Sequence, residues 1–240
     1  MYKEIFKKIE ILNEKAANIK SSQRVISDAD RIDWIYSCMK AGGFPLDRSA
    51  IVDILEGRMH VEMTLDDYTK IEQYKELFRY VDDTIGMSSR LDQKILVHLN
   101  GMIVGRQTLI RKNLPPLRQY SHLPPQPQDV IKELRVLFRD LYEDKKRNVI
   151  EKAAWLHNEI IRIYPFDEEC EATARAALFY YLKQEGLYPV TLGLSEDEYT
   201  QIITDYVNKK DQDAFRRVLE RAIYNKVDML ISLLECEEED

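Results

Sequence analysis

Cysteine is scarce in this chain, with three residues, Cys38, Cys170 and Cys236, odd in number and without metal-ligand spacing. That excludes a disulfide framework and points to thiols in a reducing cytoplasm. No window approaches the roughly 18 consecutive apolar residues of a membrane-spanning helix, so no membrane association is expected. The opening MYKEIFKKIEILNEKAANIK lacks an apolar stretch before a cleavage site and does not read as a secretory leader. A basic stripe is missing as well: the net charge of −7 is spread along the chain, which argues against nucleic acid as a partner. Internal repeats and low-complexity linkers are absent. What remains, 240 residues of which 45% are hydrophobic, suffices for one domain with or without a helical extension.

Helical period dominates. Tyr2, Ile5, Phe6, Ile9 and Leu12 recur at three- and four-residue steps, the spacing of one helix face. Ser27 or Asp28 can cap a second helix through about Lys40, and Gly42-Gly43 stops it. Asp47 or Ser49 opens a short helix ending at Gly57. A long amphipathic stretch runs from Thr64 to near Gly86, and another helix fits 90–103. Residues 104–127, with five prolines and the alternating run Gln107-Thr108-Leu109-Ile110, read as a loop with a small β-hairpin. Helices resume at about 128–142, 147–163, 168–186, 195–208 and 211–235, and ECEEED reads as a solvated acidic tail. The fold class is all-α.

The informative segment is EKAAWLHNEIIRIYPFDEECEATARAALFYYLKQEGLY, residues 151–188. A helix meets Tyr164-Pro165-Phe166, an acidic loop follows, and a second helix carries Arg175. This layout resembles the Fic (Fido) domain family, whose signature reads HPFx(D/E)GNGRxxR; the ungapped counterpart here is YPFDEECEATAR. LPPQPQDV at 123–130 resembles the segment after the family's flap hairpin, and ILEG at 54–57 resembles the Glu-Gly element of its inhibitory helix. The resemblance runs from about residue 49 to about 225.

The resemblance implies transfer of AMP from ATP, with Mg²⁺, to a protein hydroxyl. Such chemistry uses a His as base, an acid for the metal, a Gly-Asn-Gly backbone cradle at a helix start and two phosphate-binding arginines. Pro165, Phe166, Glu168 and Arg175 match motif positions, Glu168 as the metal-binding acid and Arg175 as the second, nucleotide-binding arginine. The base position holds Tyr164, whose phenol stays protonated near neutral pH. Glu169, Cys170 and Glu171 replace the cradle, and Ala172 replaces the first arginine. Carboxylates there repel phosphate by roughly 1–4 kcal/mol for each close pair. A degenerate motif implies no catalytic residue, no cofactor and a pseudoenzyme acting through protein binding. The alternative is a nucleotide-dependent transferase retaining Mg²⁺ and ATP through Glu168 and Arg175.

Other residues read more plainly. Tyr164 fills volume beside Pro-Phe, His157 and His98 are structural or solvated, and the acidic loop favours the dipole of the following helix. Glu56 and Gly57 resemble the inhibitory element, in which a Glu pairs with the motif's second arginine, here Arg175. The implied organisation is N-terminal helices over 1–63, a Fic-like core over 64–225, and a helix end with acidic tail over 226–240. Trp155, Leu156, Ile160, Phe166, Leu178 and Phe179 are expected in or near the core.

Overall fold

A computed structural model describes residues 1–44, 46–58, 63–115 and 120–239. Its described residues form α1 (Tyr2–Asn18), α2 (Ser22–Ala41), α3 (Arg48–Leu55), α4 (Leu65–Gly86) and α5 (Gln93–Val104). A 3-10 turn (Pro127–Asp129) then leads into α6 (Val130–Glu143), α7 (Val149–Ile163), α8 (Cys170–Gln184), α9 (Glu196–Lys209) and α10 (Asp213–Glu239). The fold is all-α, and no strand occurs among the described residues. None of the described helices is long and apolar enough to cross a membrane.

The chain forms two compact units, one of residues 1–75, 187–193 and 217–240, the other of 76–186 and 194–216. In the first, the periodic face of α1 buries Ile5, Ile9 and Leu12, while α2 contributes Trp34, Ile35 and Met39. Trp34 meets Tyr74 edge-on with ring centroids 6.5 Å apart. A buried ion cluster joins α2 to α10: Lys226 lies 3.0 Å from Asp30 and 2.8 Å from Asp33. Arg48, at the start of α3, also bonds Asp33 at 2.8 Å. The Asp47 carboxylate caps α3 by accepting from the Ala50 N–H at 2.8 Å, as its position predicts. Helix α2 starts earlier than its Ser27 and Asp28 suggest, because the Ser22 hydroxyl donates to the Ala16 carbonyl at 2.7 Å and fixes the turn from α1.

In the second unit α7 and α8 pack against each other and form the centre. Eleven of the fifteen residues in each are buried, so both helices are enclosed on nearly every side. Trp155, Leu156, Ile160, Phe166, Leu178 and Phe179 are all buried, as expected. Helix α7 starts from a capping box in which Asn148 accepts from the Ile150 and Glu151 N–H groups, each at 3.0 Å. The Glu151 carboxylate returns the bond by accepting from the Asn148 N–H at 2.9 Å.

Two expectations are corrected. The hairpin expected near 106–122 is not found: residues 106–115 and 120–122 are irregular, and 116–119 lie outside the described residues. The segment's hydrogen bonds go elsewhere, the Arg111 N–H donating to the Pro165 carbonyl at 2.9 Å. Pro115, Pro124 and Pro125 also lack the donors that a ladder needs. The acidic tail continues α10 to Glu239 instead of leaving it, consistent with glutamate's good helix propensity.

Candidate functional site

Helix α7 ends at Tyr164 and α8 begins after Glu169, and both residues are left-handed, with φ of 47° and 55°. Each conformation costs a non-glycine residue roughly 1–2 kcal/mol. Between them Pro165 and Phe166 are buried, whereas Asp167, Glu168 and Glu169 are exposed. The loop therefore anchors its apolar half in the core and presents its acidic half to solvent.

The Tyr164 phenol sits 3.4 Å from both carboxylate oxygens of Glu171, on the first turn of α8. The Tyr120 hydroxyl reaches the same carboxylate at 3.4 Å. Burial and the negative Glu171 push the Tyr164 hydroxyl far above the usual phenol range. Cys170 beside it is fully buried, and burial followed by Glu171 pushes its thiol well up, which removes nucleophilic thiolate.

Glu168 forms an exposed ion pair with Arg106. Its backbone carbonyl accepts from the Asn100 amide at 2.9 Å, and the same Nδ2 bonds the Thr173 hydroxyl at 2.9 Å. Thr173 in turn donates to the Glu169 carbonyl at 2.7 Å. Buried Asn100 thus fixes the loop through its backbone and leaves the acidic side chains outside. Among the described residues no group of three or more His, Cys, Asp or Glu side chains is arranged to hold a metal ion.

Arg111, in the proline-containing segment after α5, belongs to no motif position. It is 2% exposed. Its guanidinium donates to the carbonyls of Tyr164 and Pro125 at 2.6 Å, of Asn113 at 2.9 Å and of Ile163 at 3.3 Å. The Ile163 and Tyr164 carbonyls belong to the C-terminal end of α7, where a cation is favoured. Burial pulls the guanidinium's pKa down from its ordinary value.

His157 is completely buried, stacked on Phe215 with ring centroids 4.3 Å apart and planes 7° from parallel. Its Nδ1 lies 3.0 Å from the Asn158 Oδ1 and its Nε2 lies 3.2 Å from the Tyr199 hydroxyl. Burial depresses its pKa to about 3, helped by the nearby Arg175 charge. Burial pushes the Tyr199 phenol up, and the positive charge of Arg175, on α8, opposes that shift. His98 is exposed and packs on Tyr80 at 4.5 Å, and His122 Nε2 lies 3.1 Å from the Arg162 carbonyl. His60 lies outside the described residues.

Glu56, in the other compact unit, follows α3 and forms an exposed ion pair with Arg58. Gly57 takes φ +81°, which favours glycine after a helix end.

The Fic/DOC family's sequence profile matches residues 90–182, which include α5, α6, α7, the acidic loop and most of α8. Solved structures share the fold. A Fic domain containing signaling protein from Bacteroides thetaiotaomicron aligns with a TM-score of 0.77 at 17% identity, covering 95% of this chain and 98% of that one. Fic-1 from C. elegans aligns with a TM-score of 0.73 at 15% identity, covering 98% and 74%. A Fic family protein from Desulfovibrio desulfuricans aligns with a TM-score of 0.72 at 14% identity, covering 95% and 74%.

Proposed function

We propose that this chain, which carries a Fic domain over residues 90–182, works as a protein-binding pseudoenzyme and transfers no nucleotide. One observation carries the reading: the Glu171 carboxylate stands at the start of α8 with the Tyr164 and Tyr120 hydroxyls turned toward it. A helix start is where backbone N–H groups and the dipole favour an anion. Here the chain's own carboxylate supplies the negative charge.

The surrounding residues support the same reading. A phenol whose pKa is raised by burial and by Glu171 does not take a proton from an attacking hydroxyl near neutral pH. Glu168 is the matching acid for Mg²⁺, yet it is paired with Arg106. Glu169 puts a side chain and a negative charge where a phosphate cradle requires bare backbone. These residues do not fit ATP with Mg²⁺. What survives is the scaffold, and its use is recognition of another protein, in keeping with a charge distribution unsuited to nucleic acid. Its thiol content suits the cytoplasm.

Calorimetric titration with ATP and Mg²⁺ tests the proposal on the wild-type protein and on Glu56→Gly. Neither binds at millimolar nucleotide if the site is closed by its own residues. Binding by the variant alone would mean that Glu56 gates a working pocket, and a nucleotide-dependent transferase would replace the pseudoenzyme.

A further inference from the structure

Helices α1 and α10 lie side by side in the N-terminal compact unit and point the same way, because their contacts advance together along both. The Lys8 ammonium pairs with Asp228, and Lys15 with Glu235 at 3.2 Å. Each pair joins residues 220 positions apart. On each helix the two pairs are separated by about two turns, the step that keeps a register between neighbouring helices. Ile11 and Ile231 share the same offset and fall between the pairs. With Tyr224, whose ring lies 4.7 Å from the Lys8 ammonium, these side chains line an open groove of about 400 Å³.

The two walls of the groove differ in sign. Lys7, Lys8 and Lys15 stand on the α1 side, Asp228 and Glu235 on the α10 side, and Glu4 ends the α1 wall 3.6 Å from the Met1 amino group. The lysines are largely covered, whereas Asp228 and Glu235 remain 55% and 53% exposed, so each acid keeps room for a second cation. The centre is apolar and open, with Ile11 39% exposed. A ligand of one charge sign is drawn to one wall and repelled by the other. The surface that matches both is the groove itself, turned over.

We propose that this groove is a self-association surface, whose partner is a second copy of this chain related by a two-fold axis along the groove. Such an axis keeps the helix direction and lays α1 of one copy on α10 of the other, level by level. Lys8 and Lys15 then face Asp228 and Glu235 of the second copy, giving squares of alternating charge, and Ile11 meets Ile231 in an apolar middle. An axis across the groove reverses the second copy instead and sets lysine against lysine, which like-charge repulsion disfavours. Helix α1 has 17 residues and is about 25 Å long. Two helices side by side make a face about 20 Å wide, so the dimer buries about 1,000 Å² in total, near the lower bound for a specific interface. The dimer is therefore weak and reversible. It is independent of what the motif on α7 and α8 does.

Sedimentation equilibrium of the full chain in low salt tests it, from roughly 1 μM to 1 mM protein, the range suited to a weak interface. A monomer–dimer equilibrium is expected for the wild type. A monomer throughout overturns the proposal, and that result needs no variant. Ile11→Asp alters an exposed residue and is expected to weaken dimerisation about tenfold or more. A dimer that this change leaves intact uses another face and overturns the proposal too. Lys8→Glu with Lys15→Glu makes both walls acidic, and Asp228→Lys with Glu235→Lys makes both basic. Each double variant is expected to be monomeric alone and to dimerise when the two are mixed; a mixture that stays monomeric contradicts the charge pattern. Should either double variant fail to fold, the Ile11→Asp comparison decides. Oxidative cross-linking in a Cys236→Ser background reads the axis. Lys8→Cys chains should join Asp228→Cys chains, whereas joining to Lys15→Cys chains would put the axis across the groove and overturn the arrangement.

Discussion

Arg111 closes the end of the helix that Tyr164 terminates, donating to the Tyr164 carbonyl at 2.6 Å while its own N–H bonds the Pro165 carbonyl at 2.9 Å. One buried side chain thereby ties the proline-rich segment to the turn from which the motif begins. Replacing Arg111 by Met keeps volume but leaves several buried carbonyls without donors. The expected loss is about 3 kcal/mol or more, read from urea unfolding. Arg111→Lys should recover only part of it, because an ammonium lacks the planar fork that serves four carbonyls.

Acid should unfold the protein partly through His157. The unfolded imidazole binds a proton near pH 6.5, whereas burial holds the folded one near 3. The unfolded state therefore binds more protons in that window. Stability is complete above about pH 6.5 and falls as the pH drops toward 3. At pH 5 this group alone should account for about 2 kcal/mol. Urea midpoints of the wild type and of His157→Gln, measured from pH 7 to pH 4, check it: the wild type should show the steeper decline.

These two residues also show what a sequence can reveal. The helix spacing of Ile5, Ile9 and Leu12, and the cap at Asp47, follow local rules that need only neighbours a few residues away, and both read correctly. The fold class and the central pair of helices were legible for the same reason. Arg111 was not, because its acceptors are backbone carbonyls as far as 53 residues distant, which no side-chain pattern records. The partners His157 and Tyr199 are 42 residues apart and come together only through packing of α7 and α9. The hairpin failed because alternation in Gln107–Ile110 describes an extended backbone, and extended backbone without a partner strand is not a sheet. The motif itself was readable residue by residue, whereas the meeting of Tyr164, Tyr120 and Glu171 was not.

In the N-terminal compact unit, the Lys226 ammonium between Asp30 and Asp33 is only 5% exposed. Lys226→Met takes the cation from the buried Asp30 carboxylate, while half-buried Asp33 keeps Arg48, and should cost about 3–5 kcal/mol. Changing Asp30 and Asp33 to Asn in the same protein should restore most of it. Thermal denaturation of the single and triple variants provides the comparison.

Glu169 is exposed and left-handed with φ of 55°, a conformation that glycine adopts freely. Glu169→Gly should raise stability by about 0.5–1 kcal/mol, after the entropy of the unfolded glycine is counted. That corresponds to a rise of roughly 1–4 °C in melting temperature for a chain of this size.

With its own Glu171 carboxylate at the start of α8, the chain is proposed to move no nucleotide. Incubation with ATP labelled at the α-phosphate, with Mg²⁺ and with a cell extract as acceptor, measures this directly for the wild type, Glu56→Gly and Arg175→Ala. No label above background in any of the three is the predicted result. Label incorporated by the wild type or by Glu56→Gly, and lost in Arg175→Ala, would contradict the account and make the chain a transferase with altered residues.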